Sequence, residues 1–425
     1  MLNKLKPKSE FSRNVLTLMT GTSIAQAIPI AISPILTRIY TPEDFGVFAL
    51  YMSVASILSV VATGRYELAI MLPKKDEDAI NIVALSIMIS FFVSFITLLI
   101  VFFFNASLTS LLGNPEISAW LYFVPLTVLL TGIYQSFNYW SNRKKEYKRL
   151  ATSRVVQSGV TATTNLGMGF NGFGASGLIV GGVLGQGVAT AVLGRLVFGE
   201  DKERLKSVRK LKVFALAKRY VKFPIFNLPN AIIDGLRVSG INILIAKYFV
   251  IATLGQFSLA WKMVQVPLSL IGGSLSQVFF QQIAQADKVE LHSIVWNFLK
   301  KLFVISFPIF IFIYLFSGEL FTFIFGEEWK LAGEAASIMA PWFLLNFLSM
   351  PMAHVFIVMN KQEVVLIVSI VYMILPIGIL LIFNEYGFLN VLRGITSSMS
   401  LVLVIYIWLI LFYTKKGNKC FMMKQ

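Results

Sequence analysis

Long apolar runs separated by short polar stretches make up almost the whole of this chain. A membrane-crossing helix needs roughly 20 mainly apolar residues, and about twelve such runs can be marked. They span 13–36, 45–64, 80–104, 118–138, 151–171, 175–198, 223–246, 254–279, 299–317, 333–358, 363–383 and 389–413. The fifth is the weakest, because VVQSGVTATTNLGMG is rich in Thr, Ser and Asn and suits a surface turned toward protein or water. The opening MLNKLKPKSEFSRNVLTLMTG is basic and leads into the first run without a small-x-small cleavage site, so it predicts a retained span rather than a signal peptide.

Composition agrees with the pattern. Of 425 residues, 56% are hydrophobic and only 14% charged, with a mean hydropathy of +0.75. A soluble chain carries about 25% charged residues. The prediction is an all-α, multi-pass membrane protein. One cysteine, Cys420, excludes an intramolecular disulfide, and two histidines, His292 and His354, leave no Cys/His cluster for zinc. No cofactor is expected. The net charge of +16 would point to nucleic acid on a soluble protein. Here most of the 37 Lys and Arg fall on one side of the alternating spans, in the N-terminal tail, SNRKKEYKRL, GEDKERLKSVRKLKVFALAKRYVK and TKKGNKC. The other side keeps Arg38, Lys247 and Lys330. Basic loops mark the cytoplasmic side, which places both termini there and needs no nucleic-acid partner.

The chain also repeats itself. LTRIYTPEDFGVFALY and IAKYFVIATLGQFSLA align under a shift of 209 residues, which pairs Arg38 with Lys247, Gly46 with Gly255, Phe48 with Phe257 and Leu50 with Leu259. SLTSLLGNPE resembles ELFTFIFGEEW at a slightly different offset. Two parallel six-span halves are expected, residues 1–198 and 223–425, joined by a basic cytoplasmic linker over 199–222. Parallel repeats of this kind suggest a transporter with its substrate path between the halves.

Several stretches carry a family resemblance: PILTRIYTPEDFGVFALY, GRYELAIMLPKKDEDAINIVALS, YWSNRKKEYKRLATSRVVQS, FPIFNLPNAIIDGL, GQFSLAWKMVQVPLSLIGGSLSQVFFQQ and FGEEWKLAG. In this order they resemble polysaccharide flippases of the O-antigen (Wzx) type over about residues 10–335. The resemblance implies the MOP-type exporter fold, shared with MATE-like drug/cation antiporters and the peptidoglycan lipid-precursor flippase, with two six-helix bundles around a central cavity. It implies export of an undecaprenyl-diphosphate-linked oligosaccharide across the bacterial inner membrane, for O-antigen and lipopolysaccharide, capsule or another exopolysaccharide. Coupling to H+ or Na+ and contact with the glycan polymerase machinery are the further partners it suggests.

Such a substrate pairs a diphosphate with a hydrophilic glycan, so its path must be polar and preferably cationic. No bond changes, and the sequence shows no Walker A motif, Ser/His/Asp set or metal-ligand spacing. Asp234 and Arg237 sit three apart in the seventh run. At the bilayer centre each charge costs about 2.5–3.5 kcal/mol, and such residues usually face a bundle interior and mark a path. One reading is a self-compensating ion pair. The other is a cavity pair, with Arg237 for diphosphate and Asp234 for a cation. Lys262 in the eighth run is deep for a snorkelling lysine and is read as cavity-lining. Arg393 is divided between cavity and interface. Arg65, Glu67 and Arg195 close spans at the cytoplasmic side, as anchors or as an entrance ring. Arg38 and Lys247 stand at outer span ends, as an exit gate or as structural ties, Arg38 with Glu43 or Asp44. His354 is read as a satisfied bundle residue with proton coupling as the rival role.

Gln26, Gln157, Thr161, Thr164 and Asn165 suit either sugar hydroxyls or helix–helix hydrogen bonds. Gly177, Gly181, Gly185 and Ala189 form a small-xxx-small packing face. Three rival functions stand beside the flippase. A drug/cation antiporter favours acidic sites, whereas the deep charges here are mainly basic. A membrane polymerase or ligase needs large outside loops, which are lacking. A scaffold does not need deep charges.

Overall fold

A computed structural model describes residues 10–268, 272–284, 290–359 and 361–422. Every regular element among them is helical. The helices gather into two compact units, Met1–Gly255 and Gln256–Gln425. The first contains α1 (Glu10–Ile39), α2 (Pro42–Val60), α3 (Asp76–Leu112), α4 (Ile117–Leu121), α5 (Val124–Arg143), α6 (Tyr147–Phe170), α7 (Ala175–Glu200), α8 (Lys202–Leu205), α9 (Lys210–Arg219), α10 (Leu228–Tyr248) and the start of α11 (Ile251–Pro267). The second holds the rest of α11, α12 (Gly273–Ala284), α13 (Leu291–Phe325), α14 (Lys330–Ser349), α15 (Ala353–Val358), α16 (Gln362–Phe383) and α17 (Phe388–Met422).

Nine of the described helical segments are long and apolar enough to cross a membrane, or ten if the pair Phe223–Arg237 and Ser239–Tyr248, bent by 41°, is one span. The chain is a multi-pass membrane protein. Large apolar side chains stand exposed along α3, with Phe92, Phe102 and Phe103 among them, as a lipid-facing surface requires. Two of the twelve expected spans fall short of that test. Run 151–171 folds as α6, but its polar residues lower its hydropathy. Run 254–279 is divided into α11 and α12, with 269–271 outside the described residues.

The polar character of α6 has a packing explanation. A Cβ added at Gly181 would fall on the Asn165 carboxamide, one at Gly185 on the Thr161 hydroxyl, and one at Gly177 on the Tyr40 hydroxyl. The small face of α7 is therefore the space into which α6 inserts its polar side chains. Gln157 Nε2 donates to Gln186 Oε1 across the same pair of helices at 2.6 Å. Tyr40 Oη donates to the Asn165 carbonyl at 2.6 Å, which ties the end of α1 to α6.

The start of α2 is set by a capping box. Thr41 Oγ1 accepts from the Asp44 N–H, and Asp44 Oδ2 accepts from the Thr41 N–H, with Pro42 at the first helical position. Asp44 Oδ1 also accepts from the Ala175 N–H at 2.7 Å, at the N-terminus of α7, where a carboxylate is favoured. Asp44 is thus fully engaged with backbone. The tie expected from Arg38 does not form; Arg38 is exposed and makes no ion pair among the described residues.

Within the first unit α2 and α11 cross at glycines. A Cβ at Gly46 would meet the Ile251 carbonyl, and one at Gly255 the Pro42 carbonyl. The shift of 209 residues that pairs Gly46 with Gly255 also pairs Pro42 with Ile251. The crossing is therefore reciprocal, as a local two-fold relation between repeated segments demands.

Candidate functional site

Helix α2 does not run on to the polar loop that follows it in the sequence. It stops at Val60, and the backbone turns through Gly64 (φ 59°) and Arg65 (φ 62°) before a tight helical turn over Tyr66–Met71. A non-glycine residue held in the left-handed region costs on the order of 1–3 kcal/mol, and such strain clusters at functional sites. The turn lies alongside the middle of its neighbours. A Cβ at Gly132, midway along α5, would meet Ser90 of α3 and Ala62, and Gly64 packs near Ile89 of α3. Irregular backbone at such depth is tolerated where it lines a cavity or is buried in protein.

A cavity of about 330 Å³ opens there, within the first unit. Its polar lining comes from Ser56 and Ser59 of α2, from Thr63, Arg65 and Glu67 of the turn, and from Thr127, Thr131 and Gln135 of α5. Glu67 is only 3% exposed. Its carboxylate accepts a hydrogen bond from the Thr63 hydroxyl, and Arg65 Nη1 approaches it at 3.4 Å. The Arg65 Nε is buried and has no hydrogen-bond partner among the described residues. A buried acid, a guanidinium with spare donors and a wall of hydroxyls can bind a cation or proton, an anion, or sugar hydroxyls.

The other sequence-selected residues are distributed. Asp234 and Arg237 pair on α10 at 3.4 Å, with Asp234 exposed and Arg237 half-exposed, and the Arg237 Nε is buried without a partner among the described residues. Between them Gly235 packs against Val60 of α2. The pair does not line the Arg65–Glu67 cavity. Lys262 of α11 is exposed and forms no ion pair among the described residues; its neighbour Trp261 packs on Trp342 and Phe343 at 5.3 and 4.9 Å. Arg393 is exposed on α17 and donates to Asn390 Oδ1 at 3.0 Å. Arg195 is exposed on α7. Lys247 stands over the Tyr248 ring at 5.9 Å, and its backbone packs against Gly113. His354 Nδ1 lies 3.1 Å from the Pro351 carbonyl, and its ring lies 4.6 Å from that of Phe280.

Sequence reading missed a buried ionic node where the ends of α5, α6 and α7 meet. Arg149 Nη1 binds Asp201 Oδ2 at 3.0 Å, and Arg149 also binds Glu200. Trp140 Nε1 donates to Asp201 Oδ2 at 3.0 Å, and Arg204 Nη1 binds Asp201 Oδ1 at 2.9 Å. A second carboxylate, Asp76, gathers Lys144 at 2.8 Å, Arg143 at 3.1 Å and Arg204 at 3.3 Å. Burial pushes the Asp201 carboxyl up, but hydrogen bonds from Trp140 and Arg149 outweigh it and hold the group below the usual carboxylate range. The node pins the basic segment to the bundle. Beyond it, Val213 and Leu216 of α9 bury into a core that includes Tyr66, Ile70 and Trp140.

Comparison with known proteins adds a second line of observation. The sequence profile of the family described as "Polysaccharide biosynthesis protein" matches residues 35–333. The teichuronic acid biosynthesis protein TuaB of Bacillus subtilis (strain 168) is 28% identical over 149 residues, which is 34% of this chain and 31% of that protein. The match therefore spans about a third of that relative's length. An inward-facing multidrug-resistance MATE-family transporter of the MOP superfamily has a similar structure, with a TM-score of 0.73 at 15% identity, covering 94% of this chain and 96% of that one. So does the lipid II flippase MurJ in an inward closed conformation, with a TM-score of 0.73 at 12% identity, covering 94% and 87%. A MOP-superfamily transporter from Pyrococcus furiosus gives a TM-score of 0.56 at 16% identity, covering 95% of each chain. These likenesses establish the fold expected from the sequence, that of the MOP transporters. The solved neighbours are transporters or a flippase, not enzymes.

Proposed function

Because this chain belongs to the polysaccharide biosynthesis protein family, we propose that it is a flippase for a polyprenyl-diphosphate-linked oligosaccharide. It moves its substrate from the cytoplasmic to the outer face of the bacterial inner membrane by alternating access, with both termini in the cytoplasm. The observation that carries this reading is the combination of a polysaccharide family with a transporter fold that the chain matches over 94% of its length. A polysaccharide-pathway protein made almost wholly of membrane helices has little room for acceptor chemistry but has the architecture for passage.

Basic side chains in otherwise apolar helices support an anionic cargo: Arg237, whose Nε lacks a partner among the described residues, Lys262 and Arg393. The repeated segments and their reciprocal crossing at Gly46 and Gly255 support two related halves, 1–198 and 223–425, that exchange access. Coupling to H+ or Na+ is assigned to a carboxylate at membrane depth, Asp234 or the buried Glu67, with His354 the remaining titratable candidate. The likeness to the teichuronic acid protein widens the final polymer beyond O-antigen to other anionic wall or surface glycans. The MATE-family neighbour, with the same TM-score as the lipid flippase, supports drug/cation antiport as a second reading.

The test is a strain lacking the protein and any redundant flippase. Complete lipid-linked oligosaccharide accumulating while surface polymer disappears is the flippase result. Normal polymer with altered drug susceptibility is the antiporter result.

A further inference from the structure

A second recess lies in the unit Gln256–Gln425, at the end where α13 begins and α17 finishes, and nothing in the proposed transport uses it. It measures about 340 Å³ and is lined by His292 and Trp296 of α13 and by Trp408, Leu411, Phe412 and Lys415 of α17. Both helices present the same kind of stripe. On α13, His292, Trp296 and Lys300 follow one another at four-residue spacing, with Lys300 Nζ 5.0 Å from the Trp296 ring. On α17, Trp408 stacks on Phe412 at 5.4 Å, and Lys415 follows one turn on.

A single hydrogen bond fixes the histidine. His292 Nδ1 and Thr414 Oγ1 are 2.9 Å apart, and Thr414 Oγ1 lies 2.9 Å from the Ile410 carbonyl. Either atom can be the donor in the His292–Thr414 bond, and where the Thr414 hydroxyl donates to Nδ1 the neutral imidazole carries its proton on Nε2. Its Nε2–H is then a donor from which an anion in the recess can accept. Among the described residues no carboxylate lines it. The aromatic walls stay open, with Trp296 44%, Trp408 58% and Phe412 46% exposed.

We propose that this groove holds one anionic phospholipid of the surrounding leaflet, with its phosphate between Lys415 and His292, Lys300 adding positive charge beside Trp296, and an acyl chain along Trp408, Phe412 and Leu411. The charge selects an anion, and the apolar walls select one that carries a chain. Tryptophan paired with basic residues is the usual lining of a membrane–water boundary. Near a membrane surface each lysine favours an anionic lipid by about five-fold.

The test uses the full chain in phosphatidylcholine vesicles, with tryptophan fluorescence quenched by brominated phosphatidylglycerol or brominated phosphatidylcholine. The expected result is a saturable component of quenching for which phosphatidylglycerol is preferred by about ten-fold or more. That component should vanish in the Trp296→Phe/Trp408→Phe variant. Lys300→Gln/Lys415→Gln, confined to exposed side chains, should keep both tryptophans and lose the preference. Equal quenching by the two lipids overturns the proposal. So does a preference that survives loss of both lysines. Displacement of the bound component by a prenyl diphosphate, but not by unlabelled phosphatidylglycerol, also overturns it and gives the groove to the transported lipid instead.

Discussion

Replacing Asp201 by alanine should destabilise the first unit severely while leaving the transport path intact. The carboxylate is 3% exposed and receives Trp140, Arg149 and Arg204 at 2.9–3.0 Å. Its removal leaves Arg149, itself 7% exposed, without its buried partner and the Trp140 indole without an acceptor. Breaking a buried ion pair from one side costs about 3–5 kcal/mol. Glu200 still reaches Arg149 but is itself more than half exposed, so the cost belongs at the lower end, about 3 kcal/mol. Asp201→Asn keeps an oxygen for Trp140 and should cost about 1–3 kcal/mol. Arg149→Met combined with Asp201→Ala should cost less than the sum of the single changes, by about 1–3 kcal/mol, because the second change removes a charge already stranded. The assay is equilibrium unfolding in mixed micelles, followed by tryptophan fluorescence. Acidity gives an independent sign. The Asp201 carboxyl is held below its unfolded value, so its contribution is present above roughly pH 4 and is lost as pH falls through the folded value. The gap between the wild type and Asp201→Asn should therefore narrow in acid. Additive single costs, or a gap that widens in acid, would refute the reasoning.

Three further outcomes are expected. Glu67→Gln should retain the Thr63 hydrogen bond and the fold but abolish or sharply reduce translocation, measured in proteoliposomes; full activity would remove Glu67 from coupling. Gly46→Ala and Gly255→Ala should each cost about 1–3 kcal/mol by forcing a Cβ into a facing carbonyl, whereas Gly182→Ala, whose Cβ would meet only Phe48 at 3.7 Å, should be neutral or stabilising. Arg237→Ala and Lys262→Ala should lower surface glycan at equal protein level, and normal output from both would discard the basic path.

The helices were legible because apolar length alone identifies a membrane span, and the weak fifth run was legible as turned toward protein or water because its polar residues form a recognisable cluster. The glycine stripe of α7 was equally visible. What one sequence does not display is that α6 and α7 answer each other, Asn165 into Gly181 and Thr161 into Gly185. Arg65 and Glu67 read as the end of a span because hydropathy counts residues along the chain. It does not register that α2 stops at Val60 and that the chain turns beside the middle of α5. The role of Asp44 was readable: Thr-Pro-Glu-Asp over 41–44 is a capping signature, and it outcompetes an exposed arginine for the carboxylate. The Arg149–Asp201 node carries no local signal, since its members lie in separate polar segments and meet only after α5, α6 and α7 have packed.

The central claim is passage of a lipid-linked glycan, and the direct measurement is the sidedness of that lipid in cells depleted of the protein. The account predicts that complete polyprenyl-diphosphate oligosaccharide builds up at the cytoplasmic face, out of reach of an external glycosidase, while surface polymer falls. If the same lipid instead reaches the outer face at the normal rate in the absence of this protein and of any redundant flippase, the account is wrong.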